Sequence, residues 1–293
     1  MFRPDLLADK NILITGGGTG LGRAMALAFA NLGAHVFLVG RRPEPLQRTC
    51  EEVRAAGGHA AWTTADVRDF VAVEQAVEQA WSSLGRLDAV VNNAAGNFLA
   101  RTERLSPNGF AAVVGIVLHG TFHCTLAAGR RWIAAGQPGH VLNILTSYAT
   151  TGSPFVVPSA CAKAGVLALT RSLAVEWARY RIRVNAIAPG PFPTPGAWEQ
   201  LVPSAEFERR WQQAIPAGRF GRQEELTALA AFLLSEPADY ITGACVAIDG
   251  GLTACSPGGF QMLLDAPAEF WEQLEARHRA SRQPAPKADH HAE

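Results

Sequence analysis

The stretch Asn11-Ile12-Leu13-Ile14-Thr15-Gly16-Gly17-Gly18-Thr19-Gly20-Leu21-Gly22 decides the fold. A short apolar run stops in glycines. Beyond it, Ala24, Leu27, Ala28 and Leu32 fall on one face of a helix running from about Gly20 to Leu32. A glycine motif alone is weak evidence, but strand, glycine turn and helix together form the setting in which such a loop cradles phosphate. Glycine lets the backbone come close to a pyrophosphate, and the helix N-terminus offers it unpaired N–H groups.

Outward from this unit the alternation repeats. His35 to Val39 reads as a second strand. A helix over 43–56 ends at Gly57-Gly58, and His59 to Thr64 is a third strand. A helix from Phe70 to Leu84 stops at Gly85, and Leu87 to Asn92 is the fourth strand. Ser106 caps a segment that leads into a long helix reaching about Ala135. Val141 to Leu145, Arg183 to Ala188 and Cys245 to Ile248 make seven strands, with helices over Ser159 to Tyr180, 197–213 and 222–235. Continuous apolar strands separated by crossover helices predict an α/β Rossmann-type domain, its parallel sheet covered on both faces. The ligand crevice then lies at the carboxyl ends of the strands. One domain is expected over residues 1–280, with a short extension after Gly251. The tail over 281–293, rich in Pro, Ala, His and charge, is expected to be disordered.

Composition limits the remaining possibilities. A chain of 293 residues with 48% apolar and 18% charged residues can build a large core. Lys plus Arg and Asp plus Glu number 26 each, which argues against a nucleic-acid surface. Cysteines at 50, 124, 161, 245 and 255 match no zinc or redox spacing, and no metal site is expected. His290 and His291 belong to the tail. No signal-peptide stretch precedes Lys10 and no apolar run reads as long enough to span a bilayer, so a reducing, cytoplasmic setting is expected.

Within the crevice, Gly16, Gly18, Thr19, Gly20, Leu21 and Gly22 are the expected phosphate cradle. The second strand ends in Val39-Gly40-Arg41-Arg42, where an NAD site would place a carboxylate for the ribose hydroxyls. Arginines pair instead with a 2′-phosphate, so NADPH is the expected cofactor. Asp66, followed by Val67, is positioned to bond the adenine. Asn92, which opens Asn92-Asn-Ala94-Ala-Gly96, is the candidate for holding backbone beside the cofactor. Pro189-Gly190-Pro191-Phe192 closes the sixth strand at the same edge.

These features resemble the short-chain dehydrogenase/reductase family from Lys10 to Gly251. The marks are the glycine motif, Asn92-Asn-Ala-Ala-Gly96, Lys163 and Pro189-Gly190. The family pattern puts a tyrosine four residues before the lysine, and here that position is Ser159. The usual catalytic serine position is Thr146. The chain is therefore either a degenerate member or one of a subgroup whose tyrosine has moved. Tyr148, directly after the fifth strand, supports the move. That arrangement resembles the NADPH-dependent 2,4-dienoyl-CoA reductases, the mitochondrial type most closely. The similarity extends through Asn92–Phe98, Thr102–Pro107, Thr151–Ala160 into Lys163-Ala-Gly165, Ala174–Trp177, Pro189–Pro191 with Gly196-Ala197, Gly258-Gly-Phe260 and the segment from Glu269 to Arg279.

The resemblance implies roles. Tyr148 and Asn97 bond the thioester carbonyl oxygen, Ser159 supports them, and Lys163 holds the nicotinamide ribose. Arg41, Arg68, Phe98 and Ser106 match positions that contact cofactor or acyl-CoA. Two departures stand out: His119 replaces an asparagine, and Gln200 replaces an arginine that contacts substrate. The implied reaction delivers hydride to C5 of a 2,4-dienoyl thioester and protonates C2, in fatty-acid β-oxidation. The implied assembly is a homotetramer, with the helices near 108–135 and 159–180 as interface candidates. Two alternatives stay open: a 3-oxoacyl or other carbonyl reductase of the same fold, and a catalytically silent NADP-binding or scaffold protein.

Overall fold

The computed structural model describes residues 3–195, 198, 201–255, 267–270, 272 and 273. Seven parallel strands form one sheet in the order β3-β2-β1-β4-β5-β6-β7. They are β1 (Asn11–Thr15), β2 (His35–Gly40), β3 (His59–Thr64), β4 (Ala89–Asn92), β5 (Gly139–Ile144), β6 (Ile182–Pro189) and β7 (Cys245–Ile248). The order reverses between β1 and β4, so a crevice opens there at the carboxyl edge.

The strand period decides which residue serves which layer. Ile12 and Ile14 enter one core with Phe29 of α1 (Gly20–Asn31), Leu46 of α2 (Pro43–Ala55) and Leu234. Between them, Leu13 points the other way. It joins Val90, Val77 of α3 (Phe70–Leu84), Trp132 and Leu173 in the opposite core. Burial on both faces explains why the strands read as unbroken apolar runs. Helix ends follow local chemistry. Asp69 caps α3 by accepting from the N–H groups of Val71 and Ala72 at 2.9 and 3.2 Å. Gly85 ends α3 at φ 77°.

The long helix is continuous from Pro107 to Ala135 but changes pitch. It runs as α4 (Pro107–Val114), a π turn over Gly115–His119 and α5 (Gly120–Ala135). Its hydropathy corrects the reading that nothing in the chain is apolar enough to span a bilayer. By length and composition this helix is, with a window of mean hydropathy 1.6. Ala127, Ala128 and Trp132 nevertheless spend its inner face on the core.

One helix boundary moved. The helix expected over 197–213 is interrupted at Val202–Ser204, where Pro203 cannot supply an N–H. Ser204 then caps α7 (Ala205–Gln213) by accepting from Phe207 N at 3.1 Å. By its internal contacts the chain divides into two units, Met1–Thr253 and Ala254–Glu293. Asp249 closes the first unit by accepting from the N–H groups of Gly251 and Thr253. Gln200, Gly258 to Phe260, most of the 269–279 segment and the tail lie outside the described residues.

Candidate active site

The glycine loop is built for close approach. Gly16 adopts φ 66°, and its N–H donates to Val39 O at 2.7 Å. A Cβ on Gly22 would stand 2.2 Å from Gly16 O and 2.6 Å from Asn93 Nδ2. A Cβ on Gly18 would meet Leu46 N at 2.9 Å. Thr19, exposed, precedes α1 without a side-chain capping bond, so the first-turn N–H groups of Gly20, Leu21 and Gly22 remain available. A pyrophosphate fits such a cradle, because it needs donors and tolerates no intervening side chain.

Asn92 does not hold the backbone here, which corrects the expectation. Its Nδ2 donates to Thr125 Oγ1 and Asn143 Oδ1, each at 2.9 Å, inside a buried network that continues from Asn143 to Thr170. The next residue does the work. Asn93 Nδ2 donates to Thr15 O at 3.0 Å and lies 3.4 Å from Gly16 O. Thr15 Oγ1 accepts from the N–H groups of Asn93 and Ala94, both at 3.0 Å. Side chains alternate along a strand, and Asn92, still inside β4, faces the neighbouring helix. Sequence reading missed Asn93 and Thr15, although the Asn-Asn pair at a strand end was the available signal.

After β2, Arg41 and Arg42 are exposed. Asp66 is engaged by Arg68, whose Nη2 donates to Oδ2 at 2.6 Å and whose Nε donates to Oδ1 at 3.0 Å. This bond, with Arg41's charge adding to it, holds the Asp66 carboxyl below its ordinary range. Val67 is buried against Gly120, and its carbonyl accepts from His123 Nδ1 at 2.9 Å. His119, which stands in the π turn, is exposed. At the other end, Gly190 N donates to Ile248 O at 3.0 Å, and Gly221 N donates to Pro191 O at 3.1 Å. Phe192 is buried against Gly221.

Three expected catalytic residues meet. Asn97 Nδ2 lies 3.2 Å from Tyr148 Oη, and Tyr148 Oη lies 3.1 Å from Ser159 Oγ. Asn97 Oδ1 accepts from Phe98 N at 2.9 Å, which fixes the amide. A phenol oxygen has one proton and can accept from two donors. Asn97 and Ser159 can therefore both donate to it, leaving the Tyr148 proton and the second Asn97 N–H for a substrate oxygen. Ser159 is 3% exposed and sits inside α6 (Val157–Glu176), so it is not that helix's N-cap. The helix starts at Val157, two residues earlier than expected, with Pro158 in its first turn.

Lys163 lies one turn beyond Ser159 but bonds elsewhere, its Nζ donating to Ile144 O. Burial pushes its ammonium down to about 8. Ser106 caps α4, accepting from Gly109 N at 3.1 Å. Among the described residues no cluster of three His, Cys, Asp or Glu could hold a metal.

Residues 16–253 match the family model described as Enoyl-(Acyl carrier protein) reductase. A Bacillus subtilis protein, "Probable 2,4-dienoyl-CoA reductase", (2E)-enoyl-CoA-producing, is 49% identical over 84% of this chain and 97% of its own length. The Arabidopsis thaliana peroxisomal 2,4-dienoyl-CoA reductase, (3E)-enoyl-CoA-producing, is 35% identical over 95% of both chains. Among solved structures, a short chain dehydrogenase from Bacillus anthracis superposes with a TM-score of 0.77. It is 43% identical and covers 83% of this chain and 96% of its own. A gluconate 5-dehydrogenase from Burkholderia cenocepacia, in complex with NADP and tartrate, gives 0.82 at 32% identity, covering 86% and 98%.

Proposed function

The chain belongs to the short-chain dehydrogenase/reductase family, and from that premise we propose that it reduces 2,4-dienoyl-CoA thioesters with NADPH. One observation carries the reading. The phenol that the family pattern places at position 159 is absent, and Tyr148 lies in its stead against both Ser159 and Asn97. An enzyme that reduces a ketone needs a tyrosine that gives up its proton. A dienolate needs only donors aimed at the oxygen that becomes negative.

Gly16 to Gly22 would hold the pyrophosphate, Arg41 and Arg42 would meet the 2′-phosphate, and Lys163 would bond the nicotinamide ribose. When bound there, the nicotinamide would supply the hydride for C5 of the diene. Tyr148 Oη–H and the second Asn97 N–H stabilise charge on the thioester oxygen. Ser159 and Asn97 keep the phenol's acceptor side occupied. A proton from water at C2 completes a 3-enoyl thioester, the product in the Arabidopsis relative's name. A proton at C4 would give the 2-enoyl product in the Bacillus relative's name. The proposal extends to a homotetramer in the reducing cytoplasm, with α5 and α6, on which Phe122 and Val175 are exposed, as its interface.

The test compares NADPH and NADH oxidation on a 2,4-dienoyl-CoA and a 3-oxoacyl-CoA, with the product identified by mass and NMR. The proposal expects dienoyl turnover, an NADPH preference and a 3-enoyl product. Equal or faster turnover of the ketone would sink it, and an NADH preference would remove the role given to Arg41.

A further inference from the structure

We propose that Phe155, held at an unfavourable backbone angle in the segment between Tyr148 and Ser159, seats the acyl chain and sets the chain-length preference of the enzyme. The inference rests on the acyl-thioester reading above.

Among the described residues, Asp9, Phe155 and Arg181 are the non-glycine residues with positive φ, and Phe155 stands at 63°. A bulky aromatic is disfavoured there, and such strain persists where surrounding structure enforces it and gathers at ligand sites. Burial does not offset it, because the Phe155 residue is 55% exposed. What the conformation does secure is a bond between loops. Phe155 O accepts from Ala100 N at 2.9 Å. The loop that starts at Tyr148 is thereby tied to the loop that carries Asn97, and the two donors 3.2 Å apart belong to these same loops.

The joined loops carry further apolar surface. Phe98 is 37% and Leu99 43% exposed, next to Asn97 in the chain. A Cβ on Gly109 would lie 3.6 Å from Phe98 Cζ, so this ring rests on the first turn of α4, where Phe110 is also exposed. A thioester whose oxygen meets Tyr148 and Asn97 sends two arms away from them. The coenzyme arm ends in phosphates and asks for cations. Phe98, Leu99, Phe110 and Phe155 offer none, and they suit the hydrocarbon arm.

Phe155→Gly tests this, because glycine accepts the backbone angle and removes only the ring. Phe155→Ala serves as a second variant. Turnover of 2,4-hexadienoyl-CoA and 2,4-decadienoyl-CoA is measured, together with the affinities of decanoyl-CoA and of free CoA by calorimetry. The ring is expected to cover several methylenes of the longer chain, so both variants lose about tenfold in kcat/KM on the decadienoyl substrate. Decanoyl-CoA affinity falls by the same factor. The hexadienoyl rate, free CoA affinity and, for the glycine variant, the melting temperature hold. An equal loss on both substrates, a weakened free CoA, or unchanged decanoyl-CoA binding overturns the proposal. A wild type that reduces no dienoyl-CoA would refute the reaction instead, while the calorimetric comparison would still decide the role of Phe155.

Discussion

Lys163 shows how much a single side chain can cost the fold that needs it. It is 7% exposed, and among the described residues its hydrogen bond goes to a backbone carbonyl, not to a carboxylate. Desolvation therefore pushes it from 10.5 down to about 8. Below pH 8 both folded and unfolded chains are protonated, and the full penalty of burying the charge is present. Between 8 and 10.5 the folded chain has released a proton that the unfolded chain still binds, so this residue's contribution to stability improves as pH rises. The shift corresponds to about 3 kcal/mol. Chemical denaturation of the cofactor-free protein, repeated across this window, should show wild type gaining on Lys163→Met. Parallel curves for the two proteins would show that the buried ammonium carries no such penalty.

At the scale of elements, the glycine loop and α1 act as one unit with the ends of β1 and β4. Gly22 lies against Gly16 O and Asn93 Nδ2 so closely that a methyl group has no room. Gly22→Ala should therefore push the loop off Asn93, weaken nucleotide binding at least tenfold and lower the melting temperature. Fluorescence titration with NADPH checks it, and unaltered affinity would mean that the loop has slack. This unit was legible in the sequence, because apolar strands, glycines and an amphipathic helix each leave a local signature. The Asn92 and Asn93 roles were not, since one residue of strand register separates a buried network from a loop clamp. Nor was the start of α6 at Val157, which places Ser159 within the helix's first turn. The positive φ of Phe155 left no mark in composition at all.

Across the whole molecule, the parallel sheet brings distant segments to one edge. Asn97 follows β4, Tyr148 follows β5 and Ser159 rides on α6, yet the three side chains form one hydrogen-bonded group. The proposed role of Tyr148 rests on this convergence, because the loop after β5 brings a phenol against Ser159 of α6. The absent tyrosine at 159, which reads as a defect in the one-dimensional pattern, is in the structure a buried serine 3.1 Å from Tyr148 Oη. The single-turnover rate of Tyr148→Phe on a 2,4-dienoyl-CoA, with saturating NADPH, tests this most directly. Loss of one oriented donor predicts a fall of about 100- to 1000-fold, with NADPH affinity unchanged. A variant that keeps the wild-type rate would contradict the assignment of the donor to Tyr148.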